Sequence, residues 1–249
     1  MSRYEFDAVR LFIDLPLAEG VTAPLDRTQT NYLANVMRLG PGDRALVFNG
    51  KDGEFEARLD GDRKRASLTV GVKLREQTPS SPLRFLFAPL KHARLDYLVE
   101  KAVELGAGTI EPVMTQRTQA SRVNLERMQA NIIEAAEQCG VLSVPRLVEP
   151  APLAKRLADF ETGGAIVFCD EDAPVADPVA ALKALKPGPV AVVIGPEGGF
   201  DPKERQMLMG LPGCLRLSLG PRILRADTAA MAALTLVQAV LGDWSASDY

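Results

Sequence analysis

Two runs of consecutive apolar residues constrain the fold of this 249-residue chain more than any other feature. They cover residues 164–169 and 190–194. Strands buried on both faces have this pattern, whereas strands with one exposed face alternate apolar and polar residues. Apolar residues at helical spacing, such as Leu95, Leu98 and Ala102, lie between and around these runs. The alternation predicts an α/β fold in which helices cover a parallel sheet. Further strands are expected at 83–89, 109–115 and 214–219, and helices at 125–139 and 226–241.

Residues 1–74 have a different pattern, with short strands and tight turns. Phe55, Ala57 and Leu59 alternate with charged residues, and residues 68–74 repeat this period of two. Tyr32, Leu33, Val36 and Met37 follow helical spacing and predict one short amphipathic helix. The expected domains are a compact β-barrel over 1–74, a linker over 75–82 and a second domain over 83–249.

The charge balance limits how this chain could hold a nucleic acid. Lysine and arginine total 29 against 32 acidic residues, which gives a formal net charge of -3. This excludes a polycation that coats nucleic acid by bulk charge and leaves local patches as the means of contact. Arg63-Lys64-Arg65 is one candidate patch.

Cysteine and histidine are too sparse for a disulfide framework or a zinc cluster. The chain has three scattered cysteines without a C-x-x-C pair, and His92 is its single histidine. We therefore expect a reducing compartment and no metal. The N-terminus lacks the apolar core of a signal peptide, and no stretch approaches the ~20 apolar residues of a membrane span. A cytoplasmic protein without membrane attachment is predicted.

The segment 193–204 places three glycines between a buried strand and a helix. Asp201 is suited to cap that helix, Pro202 to its first position, and Glu204 to a capping box. Glycines allow close backbone approach to a ligand, and ligands of open α/β sheets bind at the carboxyl ends of strands. A tight turn without a ligand is the alternative. The segment lacks the lysine and hydroxyl residue of a P-loop.

A second strand-to-helix bend occupies residues 217–229. It contains a Gly-Pro pair, and Asp227 or Thr228 is the expected N-cap of the following helix. Arg225 lies at this junction, where a guanidinium suits a charged or enolate-like partner. The alternative is an arginine that is simply solvated.

A third segment, 91–106, carries positive charge at helical spacing. Lys91, Arg94 and Lys101 are expected to share one helix face, joined by Arg117 after the next strand, and to contact phosphates. The alternative is a solvated face in which Lys101 pairs with Glu104. No Gly-x-Ser-x-Gly elbow is present, and one histidine alone gives little support to hydrolase chemistry.

These segments together resemble the RsmE family, SPOUT-class methyltransferases that modify N3 of a uridine in small-subunit ribosomal RNA. The signature residues are Ile194-Gly195-Pro196-Glu197-Gly198-Gly199-Phe200 and Leu219-Gly220-Pro221-Arg222-Ile223-Leu224-Arg225-Ala226-Asp227-Thr228-Ala229. Residues 91–106, the Glu-Gln-Cys-Gly segment at 137–140 and residues 36–50 are also similar to the family.

The resemblance implies a trefoil-knotted SPOUT domain preceded by an RNA-binding, PUA-like β-barrel. It also implies a homodimer that methylates 16S ribosomal RNA in the small ribosomal subunit, with S-adenosylmethionine bound in the knot loops. The residues expected to bind this cofactor are Cys169, Glu171, Ile194, Gly195, Pro196, Glu197, Gly198, Gly199, Leu217, Ser218, Leu219, Gly220, Ile223, Leu224, Thr228 and Ala229.

Arg225 is the expected catalytic residue under this resemblance. The N3 proton of uracil is weakly acidic and the anion is the better nucleophile, so an arginine that stabilises charge on the uracil oxygens promotes the reaction. Either a carboxylate or water accepts the proton, and the sequence leaves this choice open. The residues expected to contact RNA are Arg10, Arg38, Lys91, Arg94, Lys101 and Arg117.

Three positions depart from the family pattern. Val141 stands where arginine is frequent, Asp227 where glutamate is usual, and Asn31 where histidine is frequent. Asp227 retains the charge, whereas Val141 removes an RNA or ligand contact. Two alternatives stay open: a SPOUT enzyme with a different RNA target, and a non-catalytic RNA-binding module of ribosome assembly.

Overall fold

The computed structural model describes residues 8–62, 65–91, 93–120, 122–158, 164–174 and 177–245. His92, Arg63 and Lys64, which the sequence singled out, lie outside the described residues. The chain divides into two compact units. We call Met1–Ser80 with Ile133–Val144 the N-terminal unit, and Ser81–Ile132 with Pro145–Tyr249 the C-terminal unit. The assignment of 133–144 to the N-terminal unit is a feature that the linker signal did not indicate.

The N-terminal unit contains a five-stranded sheet in the order β1-β3-β4-β5-β2. Only the β1–β3 pair is parallel. The alternating residues Ala57 and Leu59 point into the core, as their period of two predicts. Its elements are β1 (Arg10–Phe12), β2 (Thr22–Pro24), α1 (Arg27–Asn31), β3 (Arg44–Phe48), β4 (Glu54–Gly61) and β5 (Ala66–Arg75).

The amphipathic helix of this unit begins as expected and then changes its winding. Asp26 and Gln29 form a capping box at the start of α1. Beyond α1 the turn widens over Tyr32–Val36, and the Met37 amide donates to the Tyr32 carbonyl at 2.9 Å. Leu33 is buried but Val36 is 61% exposed. The expectation of one apolar stripe is wrong here, because a wider turn rotates the later residues away from the core.

The C-terminal unit alternates strands and helices as the sequence predicts. All of its strand pairs are parallel, in the order β12-β10-β11-β6-β7-β8 with β9 beside β7. The elements are β6 (Leu83–Phe87), α2 (Ala93–Glu104), β7 (Thr109–Met114), α3 (Leu125–Cys139), β8 (Arg146–Leu147), β9 (Ala151–Pro152), α4 (Leu153–Ala158), β10 (Ala165–Cys169), α5 (Pro178–Lys183), β11 (Val190–Ile194), α6 (Pro202–Met209), β12 (Cys214–Leu217) and α7 (Ala226–Leu241). Helix α3 is shared, since its residues from Ile133 onwards belong to the N-terminal unit.

The two apolar runs of the sequence are the central strands β10 and β11. Val167 and Val192 are neighbours in the ladder, and both are fully buried. This confirms a parallel sheet that is covered on both faces. The shorter elements β8, β9, α4 and α5 were not predicted, since two to six residues carry too little periodicity to be recognised.

The strand order positions the candidate site. β12 follows β11 along the chain but pairs with the opposite side of β10, and α7 then packs against β11 and α2. The chain therefore recrosses the sheet near its C-terminus, which the trefoil knot implied by the resemblance requires. Because β10, β11 and β12 are adjacent and parallel, their carboxyl ends meet at one edge, which we call the carboxyl edge.

Candidate functional site

Most of the predicted cofactor-binding residues lie on three loops that leave this carboxyl edge. The loops follow β10, β11 and β12. Glu171, Gly195 and Ser218 therefore each lie within two residues of a strand end. Thr228 and Ala229 lie in the first turn of α7, directly after the third loop. Neighbouring strands are about 4.8 Å apart, so the three loops together are the size of one small ligand site.

The loop after β11, residues 195–201, contains a tight turn in which Gly198 is exposed and Gly199 is half-buried. The Gly199 amide donates to the Pro196 carbonyl at 2.9 Å, and Gly199 has a φ of 68°. Pro196 is buried, whereas Glu197 and Gly198 are exposed. A left-handed φ favours glycine because it has no Cβ to clash with the backbone.

The start of α6 confirms the helix-capping prediction for this loop. The Glu204 amide donates to the Asp201 carboxylate at 2.8 Å, and the Asp201 amide donates back to the Glu204 carboxylate at 3.1 Å. The second Glu204 oxygen accepts from the Gln116 amide at 2.8 Å. The helix start is therefore also joined to the segment that follows β7.

Gly195 has a packing role that only the structure reveals. A Cβ at this position would lie 2.7 Å from the Phe200 ring, so the ring covers the strand end closely. Phe200 in turn meets Phe168 edge to face, with ring centroids 5.3 Å apart. The glycine loop is thus anchored on the sheet by an aromatic residue from its own far end.

The loop after β12 exposes a large apolar side chain. Gly220 has a φ of 103°, and no atom lies within 4 Å of where its Cβ would be. Ile223 is 89% exposed, the highest value among the exposed large apolar residues that the structure describes. Leu219 and Leu224 are half-buried beside it. This loop thus combines accessible backbone with exposed aliphatic side chains. We expect such a surface to bind a flat, apolar ligand.

Arg225, and neither Asp227 nor Thr228, is the N-cap residue of α7. Its φ and ψ are -68° and 155°, and the Ala229 amide donates to its carbonyl at 2.7 Å. The Asp227 carboxylate instead accepts from the adjacent Thr228 amide at 2.9 Å. The predicted cap is therefore wrong by two or three residues, because α7 begins earlier than its polar residues indicate.

The Arg225 side chain is available for a ligand. It makes no capping hydrogen bond, it is exposed, and among the described residues it has no hydrogen-bond or ion-pair partner. A guanidinium that is not committed to a carboxylate can donate to a planar, electron-rich group.

The loop after β10 contains a charged residue that the sequence analysis missed. Asp170 lies between the predicted Cys169 and Glu171, is 6% exposed, and accepts hydrogen bonds from Arg205 and Arg216. Burial acts to raise the pKa of Asp170, but the two guanidinium groups outweigh it and the pKa is lowered. An aspartate directly after a buried strand is the signal that could have identified this residue.

Cys169 and Glu171 differ from that central aspartate. Burial raises the pKa of the Cys169 thiol to about 12, so it carries no thiolate at neutral pH and is no nucleophile. Glu171 is exposed. A cofactor contact by Cys169 or Glu171 stays a prediction.

Three predicted RNA-binding cations lie along the same edge of the sheet. Lys91 and Arg94 follow β6, Arg117 follows β7, and all three are exposed. Arg117 also donates to the Gly198 carbonyl at 2.8 Å, which joins it to the glycine loop. Lys91 lies outside α2, which begins at Ala93 and not before it. The expected shared helix face is therefore wrong for Lys91, although it stays one turn from Arg94.

Lys101 is directed elsewhere. Seven residues along α2 place it about 10 Å from Arg94, away from the carboxyl edge. It pairs with Glu104 at 2.5 Å and lies 5.5 Å from the centroid of the Tyr97 ring. This pairing is the one that the alternative of a solvated helix face predicts, and RNA contact by Lys101 stays a prediction.

Arg10 and Arg38 lie in the N-terminal unit and differ from each other. Arg10 is 7% exposed and donates to the buried Glu54 carboxylate at 3.0 Å, so it is an internal ion pair and not an RNA contact. Arg38 is exposed and has a φ of 60°, uncommon for a residue with a side chain. Arg38 stays a candidate, whereas Arg10 is a correction to the prediction.

No group of three or more histidine, cysteine or acidic residues within the described ranges is arranged to hold a metal ion. No helix among those same residues is long and apolar enough to cross a membrane.

Comparison with known proteins places this geometry in a family. Residues 76–238 match the model of an RNA methyltransferase domain, and residues 25–71 match an RNA methyltransferase PUA domain. The ribosomal RNA small subunit methyltransferase E of Synechocystis is 31% identical over 88% of this chain and 74% of its own. That of Rickettsia conorii is 29% identical over 92% of this chain and 94% of its own.

A solved structure agrees with the sequence relatives. The ribosomal RNA small subunit methyltransferase E of Neisseria gonorrhoeae, with bound S-adenosylmethionine, has a TM-score of 0.82 and 28% identity. The match covers 96% of this chain and 100% of that one. The domain match spans more than half of the sequence, and the relatives align over nearly its whole length. The chain therefore belongs to the ribosomal RNA small subunit methyltransferase E (RsmE) family of RNA methyltransferases.

Proposed function

We propose that this chain transfers the methyl group of S-adenosylmethionine to N3 of one uridine in the 16S ribosomal RNA of the small subunit. The observation that carries the proposal is the convergence of the glycine loop and the Arg225 loop at the carboxyl ends of β11 and β12, the two parallel strands that flank β10. The relatives bear the name of small-subunit ribosomal RNA methyltransferases, which supports the RNA as substrate.

The loop residues fit this cofactor. Gly199 and Gly220 have open space where a Cβ would lie, so backbone amides and carbonyls can approach an adenine edge. The exposed Ile223, with Leu219 and Leu224, offers aliphatic surface to the adenine faces. The bound cofactor supplies an electrophilic methyl group on a sulfonium. The chain has to hold that group in line with the attacking nitrogen and exclude water from it.

Arg225 is the proposed catalytic residue. Its exposed guanidinium stands at the start of α7, beside the third loop, and has no competing partner among the described residues. Donation to the uracil oxygens stabilises the anion that forms as the N3 proton leaves. A group with fixed positive charge does this at every pH of interest, because arginine does not deprotonate in proteins.

RNA binding is proposed for the exposed cations of both units. Lys91, Arg94 and Arg117 follow strands β6 and β7 at the carboxyl edge, and Arg38 belongs to the N-terminal unit. Contacts of this kind to phosphates position an RNA without reading its sequence. We assign RNA docking to residues 1–74, a linker to 75–82 and catalysis to 83–249. We also propose a homodimer in the cytoplasm, where ribosomal RNA is modified.

The decisive experiment compares ribosomal RNA from a strain with and without this gene. Nucleoside mass spectrometry should detect the loss of a single 3-methyluridine from 16S ribosomal RNA in the deletion strain. Re-expression of the wild-type chain should restore it, and the Arg225→Ala variant should not. Unchanged 3-methyluridine in the deletion strain would contradict the proposed target.

Calorimetry with S-adenosylmethionine separates the remaining possibilities. Binding together with loss of a different modified nucleoside would indicate another RNA target. A chain that binds RNA but not the cofactor would be a non-catalytic assembly module.

A further inference from the structure

One buried carboxylate holds together the elements from which the proposed cofactor loops arise. Asp170 accepts from the Arg216 Nε at 2.7 Å, and from Arg205 at 3.1 and 3.3 Å. Arg205 is on α6, directly after the glycine loop, and Arg216 is on β12, directly before the Arg225 loop. The side chain thus connects one loop to the other through two arginines.

The backbone around Asp170 strengthens this connection. Its own amide donates to the Leu217 carbonyl at 3.0 Å, at the last residue of β12. Its carboxylate also accepts from the Asp172 amide at 3.2 Å, and the Arg216 guanidinium donates to the Asp172 carbonyl at 2.8 Å. The Asp170 side chain is therefore connected by hydrogen bonds to all three loops of the carboxyl edge or to the elements that adjoin them.

The electrostatics make this arrangement depend on the charge of Asp170. The carboxyl side chain is 4% exposed, while the Arg205 and Arg216 side chains are 31% and 27% exposed. Without the carboxylate, two neighbouring guanidinium groups would lose their shared buried partner and would turn towards solvent, where Arg205 pairs with the 72% exposed Asp172 at 3.3 Å. Both arginines belong to elements that adjoin the loops, so their departure would shift the loops themselves.

A second buried cluster of the same composition provides a comparison within the C-terminal unit. Glu111 is 1% exposed, accepts from Arg84 at 2.6 and 2.9 Å, and forms an ion pair with Arg156 at 3.3 Å without a hydrogen bond. It lies inside the β6–β7 ladder, paired with Leu86, and three residues before the end of β7. Its arginines lie on β6 and α4, and neither of these elements directly precedes or follows the glycine loop or the Arg225 loop along the chain.

We propose that Asp170 is a positioning residue for the cofactor, acting through Arg205 and Arg216 to fix the relative placement of the glycine loop and the Arg225 loop. The inference rests on the proposed function, because it concerns the same site. Asp170 itself need not touch the cofactor.

The test measures S-adenosylmethionine binding to the full chain by calorimetry, together with thermal unfolding. Asp170→Asn should raise the Kd for S-adenosylmethionine about tenfold, since small displacements of binding groups have effects of this size or larger. In turnover assays the KM for S-adenosylmethionine should rise more than the KM for RNA. Glu111→Gln, the matched control, should lower the melting temperature at least as much but leave the Kd within about twofold.

A second variant keeps the test decisive if Asp170→Asn does not fold. Arg205→Ala removes a half-exposed side chain and one of the two ties, and should raise the Kd by about threefold to fivefold. Equal Kd values for the wild type, Asp170→Asn and Arg205→Ala would overturn the inference. So would an equal loss of affinity in Glu111→Gln, because that would show a general effect of stability. A wild-type chain that does not bind S-adenosylmethionine would contradict the proposed function and this inference with it.

Discussion

Glu137 in the N-terminal unit and Asp170 in the C-terminal unit lie in opposite electrostatic settings. In the N-terminal unit, burial raises the pKa of Glu137 to about 7, and the Phe12 amide and Glu134 change it less. In the C-terminal unit, two guanidinium groups lower the pKa of Asp170 although burial acts in the other direction. Burial alone therefore does not decide the charge of a carboxyl group; the partners do.

This difference corresponds to a division of labour. Glu137 accepts from the Phe12 amide at 2.7 Å and holds the edge strand β1 in place, which is a structural role. Asp170 holds two cations beside the proposed cofactor loops and requires a permanent charge. Glu137 thus holds a strand in place, while Asp170 organises charge beside the proposed cofactor loops. The following predictions test that division.

The largest effect is expected at Arg225. Arg225→Ala should lower kcat for methyl transfer to the small ribosomal subunit by at least about 100-fold, because it removes a donor to developing negative charge. Lys203→Ala, which removes an exposed cation from the first turn of α6, should change kcat by less than about twofold. Single-turnover methylation with labelled cofactor measures both. Near-normal turnover of Arg225→Ala would refute its catalytic assignment.

The next largest effect is expected at one of two glycines that have similar backbone geometry but lie in different units. Gly220 and Gly20 have φ values of 103° and 86°, and neither has an atom within 4 Å of a built Cβ. Alanine should therefore strain each site by about 1 kcal/mol. Only Gly220→Ala should weaken S-adenosylmethionine binding, by about fivefold or more, since its loop adjoins the ligand. Calorimetry and thermal unfolding of both variants measure this, and equal affinities would place the ligand away from the loop.

Arg10 and Arg38 should show that burial separates structural from RNA-binding arginines. Arg10→Met removes a charged partner of the buried Glu54, which also accepts from Arg75 at 3.3 Å, and should cost about 2 kcal/mol of unfolding free energy. Arg38→Ala should leave stability unchanged and weaken binding to a 16S ribosomal RNA fragment by about threefold. Denaturant unfolding and filter binding at fixed salt are the measurements. The reverse pattern would contradict the assignment.

The smallest effect concerns pH. The folded-state pKa of Glu137 is about 7, above its ordinary value of 4.5, so its contribution to stability is full below about pH 4.5. That contribution is lost as the pH rises through about 7. The free energy of unfolding, measured with denaturant across this interval, should therefore fall as the pH rises.

The Glu137→Gln variant should flatten this dependence, and Glu134→Gln should reduce it only slightly because Glu134 is exposed. Asp170 has the opposite sign: its lowered pKa adds stability at neutral pH that is lost on acidification. An unchanged slope in Glu137→Gln would show that another group titrates.

Local sequence signals were sufficient for the elements that carry them strongly. The run at 190–194 coincides with β11, and the capping box of Asp201 and Glu204 is present as predicted. The glycine loop and the Arg225 loop were also identified, since Gly, Pro and Arg at strand-to-helix junctions are unusual enough to recognise. The signal failed at Val36 and Met37, where the helix changes its winding, and at the N-cap of α7.

Interactions over long sequence distances were not recognisable. Asp170 and Arg216 are 46 positions apart, and Arg10 and Glu54 are 44 apart. In the sequence each is an ordinary charged residue, and nothing nearby distinguishes a buried ion pair from a solvated charge. Arg10 was assigned to RNA and Asp170 was passed over for this reason.

The amino-acid sequence by itself determined the class of fold, the positions of the central strands and the two loops at which a ligand is expected, because backbone periodicity and turn chemistry are local properties. Only the tertiary structure decided which charges are internal and which face outward, and that β12 lies across β10 from β11. These depend on how distant segments pack, since a charge acquires its role from the partners and the solvent exposure that folding gives it.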